Sequence, residues 1–296
     1  MDRIGTDLLR DAECVTIETA DGTRLQAIVN RPHLRAPLVI LIHGWLGDSY
    51  SPYMLRVTTA LVDAGFNVAR LLLRDHGSTA ALNLELFNSA RIDEVVDASE
   101  WLVASFGPGG IMGFSLGGNF ALRVANRSQG IGISACLAIS PVIDPASAAN
   151  AIDGGWIGYR WYFLRKWKQA LTKKQIAFPH RYDFDVAMSL ASIASLTDYF
   201  VERYTPYRDT AEYYSQYTVS EQLLKQIEMP VEIVSAAEDP IVPVNSLMRL
   251  DDSQGVRISI TDYGGHCAFI QDSELTSAVG PHAVQFFSKH LAQTGF

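Results

Sequence analysis

Residues 15–30, VTIETADGTRLQAIVN, alternate apolar and polar positions about an Asp-Gly pair. A period of two with a turn signal at its centre predicts a hairpin of two half-buried strands. After Pro37 the alternation disappears. LVILIHG (38–44) is a continuous apolar run ending in glycine, which predicts a strand covered on both faces. A helical stretch near 52–64, then Gly65 and the strand FNVARLLLRD (66–75), come next. Ile92, Val95, Val96, Ser99 and Leu102 fall on one face of a helix over about 89–106. That helix stops at FGPGG, and a short strand GIMG leads into GFSLGGN (113–119), after which ALRVANRS continues as helix. ISACLAIS (133–140), ended by Pro141, VEIVSA (231–236) and VRISITD (256–262) read as strands, and about 275–291 as a final helix. This rhythm predicts an α/β fold with a mostly parallel central sheet and helices on both faces.

Residues 142–229 break the rhythm. They are rich in Trp and Tyr, read as several helices and contain no buried-strand pattern. The expected organisation is a core of residues 1–141 and 230–296 with a helical cap inserted at 142–229. Sites in open parallel sheets lie beyond the carboxyl ends of the strands, so an insertion leaving from that edge would roof the site.

Composition narrows the function classes. At 296 residues and 48% hydrophobic, the chain can bury about three quarters of its unfolded surface and belongs with globular proteins. A formal net charge of -8 argues against nucleic acid as a partner, because that affinity rests on clustered Lys and Arg. The one basic cluster, RKWKQALTKK (165–174), reads as a solvated helix face, with a membrane-surface role as the weaker alternative. No run is long and apolar enough for membrane insertion. Cys14, Cys136 and Cys267 are odd in number, far apart and without a CxxC pair, which favours reduced thiols over a disulfide framework or a zinc site. With no signal-like N-terminus, the expected location is cytoplasmic.

The candidate chemistry centres on Ser115. GFSLG fits G-x-S-x-G between an apolar strand and a helix. In that setting the serine takes a sharp, strained turn whose flanking glycines leave no Cβ to collide with neighbouring strand and helix. The helix N-terminus then points at the place where an anion would form. A hydroxyl needs a base, and the base an orienting acid. For such a turn they follow in the order Ser, Asp or Glu, His. Three histidines follow the insertion. His266, in DYGGHCAF after the last strand, is the expected base; His282 and His290 fall on the final helix. In SAAEDPIVP both Glu238 and Asp239 qualify by position as the acid, and Asp239, fixed by the following proline, is preferred, with Asp144 a remoter candidate. Oxyanion donors are expected from the backbone N–H groups of Trp45, in LIHGWLGDS, and of Leu116. His43, Arg74, Asp75 and His76 read as loop scaffolding, and Trp156, Trp161, Tyr162 and Phe163 as candidate linings of an acyl pocket, with packing inside the insertion as the plainer role.

HGWLG, RDHG, GFSLGGN, AAEDPIVP and GGHCAF, in this order and spacing, resemble the α/β-hydrolase superfamily. They are most similar to its YheT-like branch, which also contains the yeast medium-chain alcohol acyltransferase/esterases. YRWYFLRKWKQAL (159–171) and YRDTAEYYSQ (207–216) resemble stretches of that branch, so the likeness runs from about residue 13 to 290. RDHGST departs from many members, and bears on substrate more than on the triad. The resemblance implies an α/β-hydrolase fold and hydrolysis of short- to medium-chain carboxylic esters, small-molecule substrates, by Ser115, Asp239 and His266, with no cofactor and no metal. Acyl transfer to an alcohol through the same triad is the related alternative, and a non-catalytic ligand-binding scaffold the distant one. GIGISA (130–135) matches a dinucleotide fingerprint but precedes its strand where that motif must follow one. Monomer and dimer both remain open.

Overall fold

Glu13–Glu18 (β1) and Arg24–Asn30 (β2) pair antiparallel from Glu13↔Val29 to Glu18↔Arg24, the hairpin that alternation predicts. The computed structural model describes residues 11–127, 130–250, 255–272 and 276–291. Within them the remaining strands are Leu38–Ile42 (β3), Asn67–Leu72 (β4), Gly109–Phe114 (β5), Ile133–Ile139 (β6), Val231–Ala236 (β7) and Val256–Thr261 (β8). They form one eight-stranded sheet in the order β1-β2-β4-β3-β5-β6-β7-β8. From β4 to β8 every neighbour pair is parallel. β3, β4, β5 and β7 are buried at every position, which is why none of them shows the apolar–polar alternation of the hairpin; β3 is apolar throughout, while β4 and β7 bury Asn67, Arg70, Glu232 and Ser235.

Two apolar layers sandwich the sheet. Helices Pro52–Asp63 (α1) and, at the end of the chain, Val279–Leu291 (α10) cover one face through Met54, Val57, Leu61, Phe286 and Phe287. Asp93–Phe106 (α2) and Leu116–Arg127 (α3) cover the other through residues including Leu102, Phe106, Leu122 and Val124. The sequence places the start of α2 near 89; it begins at Asp93, because residues 88–91 form a turn in which the Asn88 side chain accepts the Ala90 N–H and the Ser89 and Ala90 carbonyls accept from Arg123. The last helix starts at Val279 because Ser277 bridges to Ile270.

Between β6 and β7 the described chain is helical: Pro145–Gly154 (α4), Ile157–Ala177 (α5), Asp185–Ser189 (α6), Ile193–Tyr204 (α7), Thr210–Ser215 (α8) and Glu221–Lys225 (α9). Their apolar faces continue the core layer above α2 and α3. The sheet order reverses between β3 and β5, so the loops leaving these two strands open a crevice at their carboxyl ends. The cap lies over this crevice, its residues lining a cavity together with Ser115. No helix among the described residues is long and apolar enough to cross a membrane.

Candidate active site

Ser115 stands one residue beyond β5 with φ +53, a left-handed conformation that a non-glycine residue adopts only when its surroundings enforce it. Here the enforcement is by hydrogen bonds. Ser115 N–H donates to Ile139 O at 2.8 Å, and Ser115 O accepts from Asn119 N and Val142 N at 3.1 and 3.2 Å. The glycines around it are required by contact. A Cβ on Gly113 would lie 2.0 Å from Gly117 O, and one on Gly117 would lie 2.2 and 2.4 Å from the carbonyl oxygens of Ile42 and His43. The turn therefore sits directly on the end of β3, and Ser115 is only 9% exposed.

α3 starts at Leu116, so its N-terminal dipole meets the serine. Among the described residues, neither Leu116 N–H nor Trp45 N–H donates to another group. Trp45 belongs to the loop leaving β3, which passes close to the serine: a Cβ on Gly44 would lie 3.3 Å from Ser115 Cβ. Tyr53, on α1, accepts the Gly44 N–H at 3.0 Å and so fixes this loop; burial raises the Tyr53 pKa and keeps the phenol neutral. Nothing in the sequence marked Tyr53.

His43 and His76 hold the loop from below. Each Nε2 accepts a backbone N–H, from Leu73 at 3.2 Å and Leu46 at 3.1 Å respectively. Each Nδ1 must then carry the proton, which it donates to Gly44 O and Arg74 O, both at 2.8 Å. Burial lowers their pKa values to about 4 and about 3, so both rings are neutral props. Arg74 is bound to Glu94 at 2.6 Å, and Asp75 pairs with Lys174 at 2.7 Å, so both charged residues of RDHG are tied into the surrounding fold.

Asp239 and His266 meet. His266 Nδ1 donates to Asp239 Oδ2 and Oδ1 at 2.8 and 3.1 Å. Asp239 Oδ1 also accepts the N–H groups of Ile241 and Val242 at 2.9 and 3.0 Å, and its side chain is wholly buried. A carboxylate oxygen facing a ring nitrogen accepts, so the ring proton resides on Nδ1 and Nε2 is left as the acceptor. Burial opposes a charge on His266, but the Cys267 sulfur and the Asp239 carboxylate beside the ring outweigh it and raise its pKa above the ordinary value. Glu238 faces the other way: Oε1 accepts the Gly264 and Gly265 N–H groups at 2.8 and 2.7 Å and anchors the loop that carries His266. Asp144 is the N-cap of α4, accepting from Ala146 and Ser147. His282 and His290 lie on α10, where His282 pairs with Glu232 at 3.3 Å.

Two spaces meet at Ser115. The inner one, a cavity of about 100 Å³ under the cap, is apolar and lined in part by Phe87, Ile152, Phe163, Trp167, Phe200 and Tyr213. The outer one, about 650 Å³, reaches solvent past His266, Arg56, Tyr162 and Lys166. Ser115, Trp45 and Phe163 border both. Of the four aromatic candidates from the insertion, Phe163 lines the cavity and stacks on Trp45, with ring centroids 5.7 Å apart. Tyr162 borders only the outer space. Trp156 and Trp161 do not line either: they stand on the outside of the cap, 69% and 60% exposed, because α5 turns their side of the helix to solvent. Beside Phe163 the aromatic lining includes Trp167, Phe200 and Tyr213, which nothing in the sequence distinguishes from residues packed inside the insertion. Asn119, also unmarked in the sequence, ties the elbow to the cap by donating to Val142 O and Tyr217 O at 2.8 and 2.6 Å. Among the described residues no group of three His, Cys, Asp or Glu is placed to hold a metal ion.

A parallel sheet with a strand–serine–helix elbow, roofed by helices, defines an α/β hydrolase. A model of the alpha/beta hydrolase family matches residues 39–279, and the chain belongs to that family. Solved structures with the same fold include the Pyrococcus furiosus esterase Pf2001, at 17% identity over 98% of this chain and 97% of that one, TM-score 0.65. Est1E from Butyrivibrio proteoclasticus, in its ferulic acid-bound form, is 18% identical over 94% of this chain and 99% of its own, TM-score 0.63. The serine hydrolase CCSP0084 of the polyaromatic hydrocarbon-degrading bacterium Cycloclasticus zankles is 18% identical over 94% and 98%, TM-score 0.63.

Proposed function

We propose that the protein is a serine carboxylesterase, with Ser115 as nucleophile, His266 as general base and acid, and Asp239 as the group that orients the imidazole. The observation that carries this reading is His266, held by the buried Asp239 carboxylate and bordering the same chamber as Ser115. Ser115 Oγ attacks the ester carbonyl carbon as its proton passes to His266 Nε2, and the carbonyl electrons collect on oxygen. The N–H groups of Trp45 and Leu116 stabilise that oxyanion; losing one such donor typically costs about 10²–10³ in kcat. Collapse breaks the bond to the alcohol, which leaves with the proton from His266. Water, deprotonated by the same ring, then attacks the acyl-enzyme and releases the acid.

The inner cavity accommodates the acyl group. It is smaller than the engineered cavity of about 150 Å³ that admits benzene, which favours the short end of the acyl range. The wide outer chamber brings water to His266 and favours hydrolysis over transfer to an alcohol. The motifs HGWLG, GFSLGGN and GGHCAF support membership in the YheT-like branch, and three unpaired cysteines agree with a cytoplasmic site of action.

Hydrolysis of p-nitrophenyl esters from acetate to laurate, with and without added ethanol, tests the reading beside Ser115→Ala. Expected are a short-chain optimum, acid as the main product and a loss of around 10⁶ in kcat in the variant. Undiminished activity in Ser115→Ala would remove the nucleophile, and ethyl ester as the main product would make the protein an alcohol acyltransferase.

A further inference from the structure

The longest helix of the cap, α5, carries Arg160, Arg165, Lys166, Lys168, Lys173 and Lys174 and no acidic residue, in a chain of net charge -8. Lys174 is buried against Asp75. Among the described residues the other five have no carboxylate partner. Arg160, Lys168 and Lys173 donate to the carbonyls of Asp153, Met188 and Gly77, while Arg165 and Lys166 lie over the rings of Trp161 and Tyr162, 5.0 and 5.9 Å from their centroids. Beside these cations Trp156, Ile157, Trp161 and Tyr162 are each about half or more exposed. A surface groove of about 560 Å³ runs along one side of the helix, bordered by Ile157, Arg160, Trp161, Arg165 and Lys168 with no acidic residue in its lining.

Exposed aromatic side chains beside cations that lack a carboxylate partner, on the outside of the cap, suit a single environment, the headgroup layer of an anionic bilayer. Trp and Tyr favour that level, and basic residues gain from the lipid charge. A second copy of this chain fits poorly, because a two-fold contact through this face would set cations against cations. We propose that the outer face of the N-terminal half of α5 docks peripherally on anionic phospholipid. Tyr162 and Lys166 also border the outer chamber, so docking sets the mouth leading to Ser115 against the lipid. The inference does not rest on the ester reading.

Co-sedimentation of the full chain with vesicles at low salt tests it. Pure phosphatidylcholine vesicles are compared with vesicles containing one third phosphatidylglycerol, for wild type, Arg165→Gln and the double variant Trp156→Ser/Trp161→Ser. Thermal unfolding confirms that the variants remain folded. The expected result is binding to the anionic vesicles only, weakened about five-fold by loss of one cation, weakened further by the double variant and reversed by salt. Absence of wild-type binding at low salt, or binding unchanged in both variants, overturns the proposal. So does a solution dimer that the double variant Trp156→Ser/Trp161→Ser dissociates.

Discussion

Replacing Asp239 by asparagine separates charge from shape at the proposed site. The asparagine Oδ1 retains an acceptor for the Ile241 and Val242 N–H groups, which now bind the carboxylate at 2.9 and 3.0 Å, so the turn that carries the residue survives. The other carboxylate oxygen, 2.8 Å from His266 Nδ1, becomes an NH₂ group, which can only donate. With that donor nearest the ring, and Oδ1 already accepting two N–H groups and 3.1 Å away, His266 is expected to present Nδ1 as acceptor and move its proton to Nε2, the atom proposed to take the proton of Ser115. A wrong tautomer of this kind costs about 10⁴ in kcat, or roughly 5.5 kcal/mol of barrier at ~1.36 kcal/mol per decade. The control is Glu238→Gln. Glu238 is exposed and accepts two backbone N–H groups, which a neutral amide oxygen also does, so kcat is expected to stay within about ten-fold of wild type. Stopped-time assays on p-nitrophenyl acetate, with circular dichroism to verify folding, give both numbers. A folded Asp239→Asn protein that keeps more than a tenth of wild-type kcat, or a Glu238→Gln variant that loses more than Asp239→Asn, would refute the reasoning. The pH profile offers a second check. A general base acts only when neutral, and the pKa of His266, proposed for that role, is raised, so kcat/KM should climb with pH along a limb above 6.5, and that limb should move down in Asp239→Asn.

Acid stability follows from the other histidines. His43 has a folded pKa of about 4, below the ordinary 6.5, so its contribution of about 3 kcal/mol is complete above pH 6.5 and is lost as pH falls from 6.5 toward 4; urea midpoints across that window should fall, and a flat profile would contradict the buried neutral ring. Lys174→Met strands the buried Asp75 carboxylate and should lower unfolding free energy by about 3–5 kcal/mol in urea titrations. Ala148→Phe adds a ring to the wall of the inner cavity, and the ester series should shift toward acetate with longer chains losing kcat/KM most; an unchanged chain-length profile would place the acyl group elsewhere.

The sequence determined what is local. LVILI and VEIVSA are buried on both faces, and a run of that kind has only one comfortable place, the middle of a covered sheet. The glycines of GFSLGGN are demanded by contacts within a few residues of the turn and by one neighbouring strand, so the elbow was legible too, as was the position of His266 after the last strand. Tertiary structure decided what depends on meetings across long separations. It turned Asp239 toward His266 and Glu238 toward Gly264 and Gly265, although the two acids are adjacent and both follow β7. It sent Lys174 across 99 residues to Asp75, out of a cluster that reads as a solvated face. And it pointed Phe163 and Trp167 into the cavity while leaving Trp156 and Trp161 outside. On α5 apolar and cationic residues alternate around the whole circumference, so no face is marked in the sequence, and only the packing of the helix against its neighbours selects the side chains that meet the site.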